Sequence, residues 1–199
     1  VLVIDEKGYS IDGDHFLGMI GSRWLKEGAL VKNTLVSTVM SNMRLETFLN
    51  RDGIKLVRTA VGDRYVVEQM RLNGFNLGGE KSGHVVMMDY ATTGDGLMAG
   101  LQFLAEMVRT GEVASVVGRP FDLAPQKTEN ITYAGDKNPL DHPSIKKIIS
   151  ESEKKISGFG RLLVRKSGTE KLIRIKIEAE DASVIDATMS PVVAAIKEL

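Results

Sequence analysis

The chain has 199 residues, 43% of them hydrophobic, enough for one large domain or two small ones with roughly two-thirds of the unfolded surface buried. Lys plus Arg balance Asp plus Glu at 26 each and there is no cysteine, so no global field draws the chain to nucleic acid or an anionic membrane, and disulfide and thiolate chemistry are excluded. No stretch approaches 18 apolar residues and the start carries no signal-peptide pattern, which suits a cytoplasmic, reducing setting and no membrane partner.

Val1 to Ile4 reads as a strand with Glu6-Lys7-Gly8 as its turn. Opening inside an apolar run without methionine reads as a cut within or just before a strand, as in a piece of a longer protein. Asp12-Gly13-Asp14-His15 precedes an apolar stripe of Phe16, Leu17, Ile20, Trp24 and Leu25. The two aspartates look like half of a metal loop, but aspartate just before such a stripe is first a helix cap and a first-turn charge. No metal site is expected from them. Leu35 to Val39 is a buried strand, a helix runs from about Asn42 to Arg51, and Ile54 to Thr59 is the next strand. Asp63 is expected to cap a helix carrying Tyr65, Val66, Val67 and Met70, which stops at Asn73-Gly74. Strands at 75–77 and 85–88 flank a loop at 78–84. Thr93 or Asp95 caps a long helix from Gly96 to about Val108, with Leu97, Leu101, Leu104 and Val108 on one side. Strands alternating with helices in this way argue a three-layer α/β domain over residues 8–120.

Gly118 to Gln126 holds Pro120 and Pro125 and no clear period, so it reads as a hinge. A second domain, 121–199, then takes a strand at 128–133, a turn-rich passage at 135–143 and a helix with the stripe Ile145, Ile148, Ile149 and Ile156. A hairpin around 165–171 and a helix opening near Asp181 complete a small α+β domain of order β-α-β-β-α. Pro191 falls inside that last helix, removes one backbone bond and clashes with the carbonyl of residue 187, so a kink or two short helices are expected. His142, beside Pro143 and before a helix, is most simply a cap-region residue, and three histidines this dispersed give no zinc pattern.

Two stretches carry chemistry. Arg165-Lys166-Ser167-Gly168-Thr169-Glu170-Lys171-Leu172-Ile173-Arg174 joins an apolar run to an alternating one, with Ile173, Ile175 and Ile177 on one face and Arg174, Lys176 and Glu178 on the other. Four cations therefore surround a turn whose Ser167 and Thr169 hydroxyls and Gly168 amide can donate, which is the combination a phosphate dianion asks for. On spacing alone a solvated basic hairpin explains the same residues equally well. Gly79-Glu80-Lys81-Ser82-Gly83-His84 offers a carboxylate, an ammonium, a hydroxyl and an imidazole between glycines that permit an unusual backbone path. Such a set suits adjacent sugar hydroxyls, and from the residues alone a surface turn is at least as good a reading. Arg64 opens a helix where the dipole disfavours a cation, so an acidic partner or an anionic ligand is expected beside it. No Walker loop and no Ser-His-Asp arrangement that sequence can diagnose is present.

The decapeptide at 165–174 resembles the C-terminal phosphate-contacting loop of the alpha-D-phosphohexomutases, and Gly79 to His84 resembles their sugar-recognition loop. Met40-Ser41-Asn42-Met43 with Leu45-Glu46, together with Thr92-Thr93-Gly94-Asp95-Gly96, is similar to the bacterial phosphoglucosamine mutase branch, and Gly62-Asp63-Arg64-Tyr65 to another block of the family. The resemblance runs from residue 1 to 199 but covers only the second half of such an enzyme. It implies that residues 1–7 are the terminal strand of a preceding metal-binding domain, either left as an orphan or recruited to the next sheet. Residues 8–120 would be the third, sugar-recognition domain and 121–199 a TATA-binding-protein-like phosphate-binding domain. It implies an isomerase that interconverts glucosamine 6-phosphate and glucosamine 1-phosphate through a phosphoserine and a 1,6-bisphosphate, in cytoplasmic cell-wall precursor synthesis. Glu80 and Ser82 are carried over as sugar contacts, Arg165, Ser167, Gly168, Thr169 and Arg174 as the site of the non-reacting phosphate, and His84, which lines the reacting end, and Arg64 as catalytic candidates. The serine and the Mg²⁺ loop would lie in preceding domains joined in cis, leaving this part inert alone and a homodimer of the longer enzyme open. A mutase for mannose or glucose phosphate, or a non-catalytic sugar-phosphate binding module, shares the same contacts. Lys171 stands where family members often have proline, which should loosen the turn while adding charge near the anion.

Overall fold

In the computed structural model, which describes residues 1–134, 138–168 and 170–198, the first strand finds its partner close by. β1 (Val3–Ile4) pairs antiparallel with β2 (Ser10–Ile11) in a ribbon of its own, so it is neither an orphan nor a member of the next sheet. The tight turn explains this: the Asp5 carboxylate accepts from the backbone N–H groups of Lys7 and Tyr9, both at 2.9 Å, and pairs with Arg119. A two-residue strand such as β2 has too short an alternation to be read from sequence.

The chain divides into two units, residues 1–123 and 124–199. In the first, β3 (Thr34–Thr38), β4 (Lys55–Thr59), β5 (Leu77–Gly79) and β6 (Val85–Met87) form a mixed sheet of order β4-β3-β5-β6. β3 runs parallel to both neighbours and β6 antiparallel to β5. Helices α1 (Gly13–Lys26) and α2 (Met43–Arg51) cover one face, and α4 (Gly96–Thr110) packs on α1 through Phe103 and Phe16, whose rings lie 5.9 Å apart. Helix α3 (Asp63–Asn73) covers the other face, where Val66 and Met70 meet Val36 and Val86. Three layers result. α1 starts where its cap dictates: the Asp12 carboxylate accepts from the N–H groups of Asp14 at 2.8 Å and His15 at 3.4 Å.

Two expectations need correction. The N-cap of α3 is Gly62, at φ 131°, and Asp63 is already helical; that backbone conformation is open only to glycine, so the chain enters the helix one residue early. The stripe Leu97, Leu101, Leu104 and Val108 does not face the core. These side chains are 77, 51, 55 and 84% exposed, while Ala99, Phe103 and Glu106 are buried. α4 carries apolar residues on two sides, and the aromatic side won the contact with α1. A further helical turn, α5 (Ala114–Val117), is too short to leave a period in the sequence.

In the second unit β7 (Gln126–Thr132), β8 (Gly160–Lys166) and β9 (Leu172–Ala179) form an antiparallel sheet of order β7-β9-β8. Ile173, Ile175 and Ile177 pack against Ile145 of α6 (Pro143–Lys155) and Ile185, Met189 and Val192 of α7 (Ser183–Lys197). Residues 135–137 of the expected turn-rich passage lie outside the described residues, and Pro139–Asp141 is a single 3-10 turn. α7 is one helix with Pro191 inside it, not two. Met189 before the proline and Val192, Val193 and Ile196 after it are all buried, so both halves are held on the sheet despite the missing hydrogen bond. No helix among the described residues is long and apolar enough to cross a membrane.

Candidate functional site

The hairpin β8–β9 sets two guanidinium groups side by side. Arg165 and Arg174 are direct cross-strand partners in the ladder, which puts both side chains on the same face of the sheet. Like charges so placed repel, and burial first, then the charge of Arg174, push the pKa of Arg165 down. Arginine stays charged regardless. The Nε of each is buried and has no hydrogen-bond partner among the described residues. Arg174 commits one donor to Glu170 at 3.1 Å, and among the described residues Arg165 makes a 3.5 Å contact with its neighbour's carbonyl. One carboxylate, Glu170, thus faces two adjacent guanidinium groups, whose remaining donors form a fork array.

The rest of the turn supports this array unevenly. The backbone N–H of Ser167 closes the turn on the Leu172 carbonyl at 2.9 Å, and its side chain is buried beside the arginines' strand. Gly168 is exposed, and a Cβ there would meet nothing within 4 Å, so the turn is open on that side. Thr169 lies outside the described residues. The Lys171 ammonium sits 6.0 Å from the Tyr133 ring centroid, a cation–π contact that restrains the residue standing in for proline. Further along the same face Glu178, wholly buried, pairs with Lys176 at 3.2 Å and with Arg161. That carboxylate is shared between two other cations, while Glu170 is the acid that pairs with Arg174. The alternating face was singled out from the sequence, but not this ion-pair cluster, nor Asn130, which the β7 register sets opposite Arg174.

In the first unit the loop between β5 and β6 brings Glu80 and His84 together. The Glu80 backbone N–H bonds the His84 carbonyl at 2.8 Å, and the two side chains approach to 3.7 Å. The other carboxylate oxygen of Glu80 accepts the Gly62 N–H at 3.1 Å, tying the loop to the positive end of α3. Lys81 pairs with Asp12 at 3.3 Å. Ser82 is exposed and His84 mostly so. Arg64 is also exposed, and its partner is not an acid: it donates to the Tyr65 hydroxyl and stacks on that ring at 4.5 Å.

Behind the loop stand residues that the sequence did not offer as site residues. Gly13 is one: a Cβ on it would fall 2.2 Å from the Glu80 carbonyl oxygen and 2.7 Å from that of Lys81. The helix start therefore touches the loop backbone directly, with Gly13 N–H donating to Lys81 at 3.0 Å. Asp14, fully buried, accepts from Asn42 N–H at 2.8 Å while its other oxygen has no partner; burial, then the charge of Asp12, push its pKa up to about 6. Arg58 clamps the β3–α2 loop, donating to the Ser41 carbonyl at 2.8 Å and to Glu46 at 3.2 Å.

With this geometry in place, comparison with known families is decisive. Residues 12–121 match the phosphoglucomutase/phosphomannomutase alpha/beta/alpha domain III, and residues 128–195 match the phosphoglucomutase/phosphomannomutase C-terminal domain. The chain belongs to the phosphoglucomutase/phosphomannomutase family. It is 52% identical over 198 residues to a phosphoglucosamine mutase of Cereibacter sphaeroides and 54% identical over 198 residues to one of Jannaschia, spanning 100% of this chain and 44% of each relative. It thus covers less than half the length of these relatives. Among solved structures, a phosphoglucomutase/phosphomannomutase family protein of Burkholderia thailandensis shares the fold with a TM-score of 0.76 at 19% identity, over 99% of this chain and 44% of that one. N-acetylphosphoglucosamine mutase of Aspergillus fumigatus does so with a TM-score of 0.78 at 18% identity, over 99% and 45%.

For a phosphoglucomutase/phosphomannomutase chain a Mg²⁺ requirement is the family-level expectation, and the donor set here can be tested against it. Among the described residues no three His, Asp or Glu side chains converge as metal ligands. Asp12 is engaged as a helix cap and with Lys81, and Asp14 faces backbone N–H and hydroxyl donors. These residues do not fit a resident divalent cation.

Proposed function

We propose that this chain is the sugar- and phosphate-binding part of a phosphoglucosamine mutase, acting on glucosamine 6-phosphate and glucosamine 1-phosphate through a 1,6-bisphosphate. The observation that carries the reading is the Arg165–Arg174 pair, two adjacent guanidinium groups whose Nε atoms have no partner among the described residues and which Glu170, paired with Arg174, only partly offsets. A phosphate dianion relieves the repulsion and accepts from both forks. Ser167 and the open turn at Gly168 line the same anion, and the Thr169 hydroxyl is assigned to it by the motif.

In the first unit Glu80 accepts from sugar hydroxyls with the oxygen that faces His84, Ser82 donates from the exposed loop, His84 lines the reacting end, and Arg64 is a second catalytic candidate. The phosphoryl-donating serine and its Mg²⁺ belong, on this reading, to the region that the longer relatives carry beyond the matched stretch. A site that holds the non-reacting phosphate contributes by positioning and electrostatics, and no residue of the hairpin need act as a base. The same reading gives the second unit the TATA-binding-protein-like fold of the family's last domain, supported by its antiparallel sheet and two helices.

The test uses a chimera in which the missing length is supplied ahead of Val1 from the Cereibacter sphaeroides phosphoglucosamine mutase. Removing Arg165 or Arg174 should lower kcat/KM on glucosamine 6-phosphate by about ten- to a hundred-fold or more, since charged hydrogen bonds are worth about 1.5–3 kcal/mol each. Preference for mannose or glucose 6-phosphate by the parent chimera would move the chain to another branch. Unchanged kcat/KM in both arginine variants would return the hairpin to the surface.

A further inference from the structure

A chain of hydroxyl groups runs through the interior of the first unit, from the start of α1 to the root of the 79–84 loop. Asp14, Ser41 and Ser37 are all fully buried. Ser41 hydrogen-bonds the Asp14 carboxyl, the Ser41 and Ser37 hydroxyl oxygens lie 2.6 Å apart, and the Ser37 hydroxyl donates to the Gly79 carbonyl at 2.7 Å. The parallel register that sets Val36 beside Gly78 brings Ser37 to Gly79 at the carboxyl ends of β3 and β5, the edge at which α/β sheets bind ligands.

Counting hydrogens gives the chain a direction. Three contacts need three hydrogens, and each serine hydroxyl carries one. With Asp14 ionised, the two serines supply two, and one pair of buried oxygens meets without a hydrogen between them, which is costly away from water. A proton on Asp14 supplies the third: Asp14 then donates to Ser41, Ser41 to Ser37, and Ser37 to Gly79. The surroundings favour that state. One Asp14 oxygen has no partner among the described residues, and burial, then the charge of Asp12, hold its pKa at about 6. The titratable and charged groups around it are Asp12 at the cap, His15 on α1, Glu80 and Lys81 of the loop, and the Arg58–Glu46 pair, in which Arg58 also holds the Ser41 carbonyl. At the far end the chain meets tightly packed backbone. A Cβ on Gly79 would lie 2.4 Å from the His84 carbonyl oxygen, which the Glu80 N–H also engages.

We propose that Asp14 is a positioning residue for the 79–84 loop, acting on the Gly79 carbonyl through the Ser41 and Ser37 hydroxyls, and that its proton sets the direction of the chain. Glu80 and Ser82 are then presented from a loop whose root is fixed. Only that consequence rests on the reading of 79–84 as a sugar-contacting loop.

Carbonyl-detected NMR on the 199-residue chain tests the coupling without any ligand, so its failure is distinct from failure of the assigned function. As pH rises through about 6, the Gly79 carbonyl carbon should move to lower shift with the midpoint of the Asp14 Cγ, because Ser37 then shares its hydrogen with Ser41. D14N donates from its amide and should hold the Gly79 signal at its low-pH position throughout. S37A should abolish the Gly79 titration while Asp14 still titrates; S41A breaks the chain one link earlier and should abolish it too, which keeps the test in hand if S37A does not fold. H84N removes the titrating imidazole beside the loop and should leave the Gly79 midpoint in place. A carboxyl that only packs would leave the two midpoints unrelated. A Gly79 signal that stays flat while Asp14 titrates, that still titrates in D14N, or that is lost in H84N would overturn the proposal.

Discussion

Asp14 is a carboxylate that folding makes harder to ionise. Its pKa is raised from 3.8 to about 6, so the native state binds a proton that the unfolded chain has released. The stability this confers is fully present below about pH 4 and is lost as pH rises through about 6, a change of roughly 3 kcal/mol by proton linkage. D14N removes the titration while its amide oxygen can still accept from Asn42. The Tm difference between D14N and the parent should therefore rise in favour of D14N between pH 4 and 6.5, read by thermal melts across that range. A flat difference would mean that Asp14 is not buried as a charge. At the hairpin, geometry should matter as much as charge. R165K keeps the charge but not the planar fork, so in the chimera its kcat/KM should resemble that of R165A, and S167A should cost less than either arginine. Recovery of activity in R165K would show a site that needs a cation and no more.

Elements were legible where a cap or a long period announced them. Asp12, Asn42 and Asp95 each accept N–H groups at a helix start, and Gly74 closes α3 in the left-handed conformation. All were readable because capping chemistry is local. The buried side of α4 was not, since Leu97, Leu101, Leu104 and Val108 satisfy helical period as well as Ala99 and Phe103 do, and only the neighbouring helix decides between them. Candidate site residues were legible as motifs, whereas their supports were not. Gly13 is read from sequence as an ordinary glycine after a cap, yet it lets α1 touch the 79–84 loop. G13A should push that loop away and destabilise the first unit by about 1–3 kcal/mol, the usual range for overpacking. Amide shifts of G13A should spread over residues 79–84; shifts confined to residues 11–16 would contradict the contact.

At the scale of the molecule, the boundary between the two units at residue 123 falls inside the chain's Pro- and Gly-punctuated stretch. The second unit's order was readable because each of its strands and helices is long, and its apolar alternation at Ile173, Ile175 and Ile177 is strict. We infer a hinge at residues 118–126 that lets the units move. Limited proteolysis should cut there first, after Phe121 or Leu123 for a chymotrypsin-like protease, releasing two resistant pieces identified by mass. Resistance throughout that segment, with first cuts elsewhere, would make the two units one rigid body.

The central claim is that Arg165 and Arg174 hold a phosphate, and amide NMR on the 199-residue chain tests it directly. Inorganic phosphate and glucosamine 6-phosphate should each give saturable shifts centred on residues 165–174, with a Kd on the order of millimolar. R174A should weaken both by about ten-fold or more. Shifts scattered over exposed lysines, or an R174A titration matching that of the parent, would contradict it.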